Sequence, residues 1–451
     1  MITAAPLADQ APSRAPSRFA PGWMAPTLIA GFPLWWALGL GELIFSVAGV
    51  AMLWDLSRRS SVIVPRTFGL YAAFIIVVAA SGLMLDRPSA VLGWLTRTSQ
   101  YVGVGVLLPY CLTHRRHLTS TRLLRALVWL WISAVTGGVL ALVLGPVSFP
   151  TPMKMILPGG ITANPFVFEQ INPSLADVDG FLGFTSVRPK APFTYTNGWG
   201  AALGLLFPVA AFACVRDVGI PRALVRATVV VGAIPIVFSL NRGLWLSITA
   251  GVAYGAVLLV RRHGSRVVVG LIIGAMVTAA VIAVSPLGSL IQQRAETGHS
   301  DEDRAELYHH VIDELKDSPF IGYGGPRQSE DGPPLGTHGQ LWIILFSHGL
   351  LGAVLYFGFI AVNLIESAGG RSEMELVSHT ILAVSGLQVF FYGHVPQQLA
   401  IIFIAIAIGA LCRFEAVERA ERRDLEALRR RAPDPATPSR ESESSHEWRH
   451  P

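Results

Sequence analysis

The chain is poor in charge, in lysine and in cysteine. Of its 451 residues only 14% are Asp, Glu, Lys or Arg, against 52% hydrophobic, and the mean hydropathy is +0.50. A soluble globular chain carries about a quarter charged residues, so this scarcity excludes that class. Cys111, Cys214 and Cys412 stand far apart at the ends of apolar runs, with neither the pairing of a disulfide framework nor the spacing of a metal site. Lysine is confined to Lys154, Lys190 and Lys316, so nearly every cation is an arginine, and one Arg carries meaning only through its position. The consecutive Asp301, Glu302 and Asp303 read as a solvated run, and no carboxylates are assigned to a metal or other cofactor. The net charge of +5 is spread over short loops rather than gathered on one face, so no nucleic-acid partner is expected.

What the chain has in abundance is apolar runs of bilayer length. The expected fold is an all-α, polytopic transmembrane helical bundle of about twelve spans. The 25–54 segment is long for one span and short for two; with Gly39-Leu40-Gly41-Glu42 at its centre it reads as a tight helical hairpin. Further spans fall at about 67–85, 90–112, 122–145, 197–214, 223–241, 243–260, 266–285, 339–365, 376–392 and 396–413. Residues 1–24, rich in Ala, Pro and Ser, read as a disordered cytoplasmic tail, 25–413 as the membrane domain, and 414–451 as a charged cytoplasmic tail.

Cations in alternate short loops set the orientation. Arg58, Arg59 and Arg66, then Arg115, Arg116, Arg122 and Arg125, then Arg216, Arg222 and Arg226, then Arg261, Arg262 and Arg266, and finally Arg371 mark the cytoplasmic side. Two long loops, 146–196 and 286–338, are therefore extracytoplasmic, together with the Asn241-Arg242 and Gly393-His394-Val395-Pro396 turns. Loops this long call for a functional reason. The first ends in Arg188, Lys190, Tyr195 and Asn197, a set suited to an anionic sugar or phosphate and equally to anchoring at a membrane edge. The second carries apolar residues at 307, 308, 311, 312 and 315, the spacing of an amphipathic helix, with Arg304 on the same stripe.

Arg242 lies between two apolar runs, where an ionisable group is costly and is by default a functional candidate, with snorkelling as the plain alternative. His338 opens the next outer-facing span in the company of Arg242 and Arg304. Among the other histidines, His114, His117 and His263 fall in cytoplasmic loops, His309 and His310 on a helix surface, and His379 in the core, while His348 and His394 stay open.

Three ordered blocks carry a resemblance: Tyr195-Thr196-Asn197; Ser239-Leu240-Asn241-Arg242-Gly243; and the 304–324 stretch followed by His338 and Gly349-Leu350-Leu351-Gly352. Over roughly 30–415, and most strongly over 193–352, the chain resembles the O-antigen ligase and O-antigen polymerase-like superfamily of bacterial membrane glycosyltransferases. The resemblance implies transfer of a glycan from an undecaprenyl diphosphate carrier to a hydroxyl of a lipid, glycan or protein acceptor, without a metal, on the outer face of the bacterial inner membrane among its lipids. It also implies that Arg242 and Arg304 bind the diphosphate and that His338 is the active-site histidine. Two positions depart from the pattern: Gly339 stands where Asn or Ser often follows the histidine, and His348 where an acidic residue is common. A solute transporter and a non-catalytic envelope scaffold are the other classes this architecture allows.

The orientation is directly testable. Cysteines placed at Ser174 and Ser329 should react with an impermeant thiol reagent in intact cells, and one at Ser60 should not; the reverse pattern would invert the topology.

Overall fold

The computed structural model describes residues 20–180, 186–263, 308–327, 334–394 and 396–431. The expected span at 266–285 and Arg304 lie outside these residues. The described chain is mostly helical, and five of its helices are long and apolar enough to cross a membrane. These are α7 (Ser120–Leu144), α11 (Thr196–Val215), α13 (Arg242–His263), α14 (Gln340–Ser367) and α16 (Pro396–Arg431). The protein is thus a multi-pass membrane protein, although twelve full-length spans are not what the described residues show.

Prolines shape two of the expected segments, the 25–54 hairpin and the 90–112 span. The 25–54 segment forms α1 (Met24–Ala30), α2 (Phe32–Ala37) and, beyond a turn, α3 (Ile44–Ser57), with α1 in contact with α3. Pro33 breaks α1 from α2, because its ring would meet the carbonyl four residues earlier. The single span expected at 90–112 is likewise divided at Val106 into α5 (Pro88–Gly105) and α6 (Leu107–Thr113), with Pro109 just beyond the break. Between these units runs α4 (Phe68–Ser81).

The first outer loop is more ordered than its composition suggests. It holds α8 (Pro152–Ile156), α9 (Gly159–Thr162), α10 (Pro165–Ile171) and an antiparallel hairpin of β1 (Ala176–Asp179) with β2 (Ser186–Pro189). The hairpin packs on α7, α11 and α12 (Arg222–Phe238). Gly39 explains how the loop seats on the α2–α3 turn: its φ is 83°, and a Cβ there would collide with the Thr151 hydroxyl.

The axis of the bundle is α16, which touches α5, α6, α7, α11 and α15 (Glu373–Gln388). Every residue from 396 to 409 is buried, as expected for a helix apolar on all sides. From Arg413 onward the same helix is polar and largely exposed, so the last span and the start of the charged tail are one continuous rod. Outward-facing Ile76, Val143 and Val230, each at least 70% exposed, mark the girdle that lipid covers.

Two further devices shape the bundle. Helix α14 is interrupted at Gly349 (φ 65°, ψ −170°). The groups freed there and in the preceding turn are met by loop backbone: Tyr323 N–H donates to Phe346 O, Gly324 N–H to Ser347 O, and Leu350 N–H to Pro319 O, at 2.8 to 2.9 Å. Irregular backbone inside a membrane bundle survives only when it is paired in this way. Helices α3 and α5 meet through Gly49 and Gly103, backbone against backbone, next to a Ser46–Ser99 hydroxyl contact of 2.9 Å. A Cβ on Gly103 would strike the Phe45 carbonyl. Gly103→Val should therefore cost roughly 2–3 kcal/mol, the scale of overpacking, read as a lowered thermal midpoint in detergent, whereas Gly93→Ala, with open space around it, should not.

Candidate functional site

The Arg242 turn is built from strained backbone. After α12 ends, Leu240 takes φ 52°, a left-handed conformation uncommon for a leucine. Asn241 then caps α13, its Oδ1 accepting the Leu244 N–H at 3.3 Å. Arg242 is the first residue of α13, at the end where the helix dipole favours an anion.

Three neighbours hold the turn. The Asn241 side-chain amide donates to Thr196 O at 3.4 Å, at the head of α11. Arg188 of β2 donates from Nε to Ser239 O at 3.3 Å. The Tyr392 hydroxyl donates to Asn241 Oδ1. Gly200 and Gly243 leave room for this last contact, since a Cβ on either would crowd the Tyr392 hydroxyl.

His338 is anchored to the same place. It precedes Gly339, whose φ is 76° and where a Cβ would stand only 2.7 Å from Phe390 O, so that the position suits glycine alone. This is a physical reason for the departure from Asn or Ser at that position. Next, Gln340 N–H donates to Tyr392 O at 2.8 Å and Leu341 N–H to Val389 O at 2.9 Å. The His338 ring is partly exposed, with Nδ1 2.8 Å from the Thr337 hydroxyl. The helical residues 308–315 close over this corner: Tyr308 stacks on Trp342 with ring centroids 4.2 Å apart, and Val311 is buried against Phe346. The amphipathic stripe read from the sequence thus does face the bundle.

The four residues at the end of the first outer loop divide into two kinds. Arg188 and Lys190 are ion-paired within their own hairpin, to Asp179 at 2.5 Å and Asp177 at 2.6 Å. The Asp177-Val178-Asp179 pair, given no role in the sequence, supplies these counter-charges, and the two cations hold the hairpin together and against the Ser239 turn. Tyr195 and Asn197 are exposed at the start of α11, beside the carbonyl that receives Asn241.

Several polar residues that sequence patterns passed over lie on the inner side of this corner. Gln340 donates to the Tyr101 hydroxyl at 3.1 Å and accepts from His394 N–H at 2.7 Å. Gln397 and Gln398 open α16, reaching Gly41 O and Gly198 O. Arg97, flanked by Thr96 and Thr98, is a cation within an expected span, and that cost is the signal by which the sequence marks it. Glu42, in the turn before α3, accepts from Gln100 at 3.4 Å, and burial pushes its carboxyl up to about 7. Burial pushes His394, in the turn before α16, down to about 3, so its ring is neutral. His348 sits at the α14 break with Nδ1 2.9 Å from the Ser81 hydroxyl. His379 is satisfied on both ring nitrogens, by Tyr254 and Ser367, as a core histidine should be.

No curated protein matches the chain at a significant level. A family model described as O-Antigen ligase matches residues 227–357, from within α12 through α13 to the far side of the α14 break. Over that stretch, which contains both Arg242 and His338, the chain is similar to the O-antigen ligase family.

Proposed function

We propose that the protein transfers a glycan from an undecaprenyl diphosphate carrier to an acceptor hydroxyl at the outer face of the bacterial inner membrane. The observation that carries this reading is the 389–394 turn, which binds both the cap of α13, next to Arg242, and the first residues of α14, next to His338. A phosphate-gripping cation and a titratable imidazole are thereby held on one support.

The chemistry asks for such a pair. The acceptor oxygen attacks the anomeric carbon, the bond from that carbon to the diphosphate oxygen breaks, and the electron pair leaves on the diphosphate. Arg242 at a helix N-terminus, joined by Arg304, stabilises the charge that builds there, the guanidinium fork matching phosphate oxygens. His338 takes the acceptor proton, its partly exposed ring remaining open to solvent for the proton's release. Two guanidinium groups supply the positive charge that a metal would otherwise bring. Tyr195 and Asn197 flank the glycan, while Arg188 and Lys190 act through the hairpin they brace.

One observation favours a transporter instead, the interrupted helix α14, since broken helices mark transporter sites. Here, however, loop backbone takes up the freed groups, so the break is filled rather than left facing a solute.

The two readings, and that of a scaffold, separate by mutation. Arg242→Lys should lose most transfer although charge is kept, and His338→Ala should lower turnover roughly a hundredfold while carrier binding survives. Arg261→Ala, at the other end of α13, should leave turnover intact. Transfer at a near-normal rate by His338→Ala, at equal protein level, would remove the proposed base.

A further inference from the structure

Beneath the 389–394 turn lies a narrow cavity lined by Arg97, Gln100, Tyr101, Gln340 and His394, with Leu399 at its floor. Among the described residues, two of these groups have a buried nitrogen without a partner: Arg97 Nη1, and His394 Nε2 on a residue only 1% exposed. Both nitrogens are costly as they stand, and the guanidinium, on a half-buried side chain, is drawn to a counter-charge and not only to a solvating dipole. Glu42, the carboxyl on which Arg97 acts, does not fill this role: burial keeps it protonated up to about pH 7, and among the described residues it forms no ion pair with Arg97.

The other lining groups are already committed in a way that leaves donors facing inward. The Tyr356 hydroxyl lies 3.0 Å from His394 Nδ1; when it donates there, Nε2 carries the ring hydrogen and becomes a donor. Gln340 fixes the Tyr101 hydroxyl and the His394 backbone, so the two walls of the cavity cannot drift apart without breaking bonds of 3.1 and 2.7 Å. A rigid cavity with one cation and one imidazole donor, both unsatisfied, is complementary to an oxygen anion.

We propose that this cavity is a second anion subsite, separate from Arg242, that takes a single oxyanion end, a phosphoryl or carboxyl group, between Arg97 and His394. It rests on the glycan-transfer reading only for the origin of the group, which is either the carrier's diphosphate or an acidic substituent of a saccharide. Because Glu42 neighbours Arg97, with Glu169 and Tyr195 also acting on this corner, an anion is held better when Glu42 is protonated, and binding weakens as the pH rises through about 7.

Titrating the purified full-length protein in nanodiscs with inorganic phosphate, followed by phosphorus NMR, tests the subsite. Wild type should bind saturably; Arg97→Gln should raise the Kd more than tenfold, His394→Gln about tenfold, and Arg97→Lys less than Arg97→Gln. An unchanged thermal midpoint shows that each variant is folded. Phosphate held at Arg242 is lost in Arg242→Lys and kept in Arg97→Gln, and phosphate held in the cavity shows the reverse, so failure of the transfer reading and failure of the subsite give different results. Displacement of phosphate by a polyprenyl diphosphate, lost in Arg97→Gln, assigns the group to the carrier; displacement only by a phosphorylated or uronic-acid saccharide assigns it to the glycan. If wild type does not bind phosphate saturably, if folded Arg97→Gln binds it as wild type does, or if neither compound displaces it, the cavity holds water and the proposal fails.

Discussion

The hydrogen bonds made by Tyr392 are the constraint on which the outer end of this protein depends. Its hydroxyl holds Asn241, the cap of α13, and its carbonyl holds Gln340, the first residue of α14. Neither helix start is secured by its own sequence alone. Leu240 is strained, and a left-handed leucine persists only where neighbours over-determine it. Gly339 likewise brings α14 so close to Phe390 that the turn and the helix act as one piece. Glycines at 200, 243 and 339 are thus the space into which a tyrosine and a turn are fitted.

The same principle, that backbone polar groups in a membrane must be paired, accounts for the rest of the architecture. The break in α14 at Gly349 frees donors and acceptors that would be expensive in lipid, and the 319–324 loop supplies their partners. That loop follows the helical residues 308–315, which in turn rest on Trp342 through Tyr308. The described part of this loop is therefore part of the bundle's wall, as its amphipathic stripe suggests. The glutamines at the outer ends of α14, α15 and α16 serve the same purpose from side chains, each reaching a backbone carbonyl or a hydroxyl on a neighbouring helix or turn.

Much of this was legible without coordinates, and the reasons differ by residue. Arg242 stood out because a cation between two apolar runs is costly wherever it sits, and the amphipathic stripe at 307–315 because spacing alone identifies a buried face. Arg188 and Lys190 were legible as cations but not as paired ones: their partners Asp177 and Asp179 lie on the opposite strand, and the hairpin register that joins them is a property of two segments together. His379 was legible as a core histidine, but His348 and His394 could not be told apart, since whether an imidazole nitrogen is satisfied depends on Ser81 and Tyr356, each far away in the sequence.

By itself the sequence determined that the chain resides in a membrane, which runs are helical, and which cations are out of place there, because hydrophobicity, periodicity and charge cost are local properties. Tertiary structure alone decided that the turns beside Arg242 and His338 share one support, that Pro33 breaks one arm of the 25–54 hairpin and Pro109 follows a break in what composition reads as one span, and that Arg97 and His394 line one cavity, each with a nitrogen unsatisfied among the described residues. Those facts depend on which helix lies next to which, and a bundle of nearly uniform apolar helices has little in its local pattern to record its neighbours.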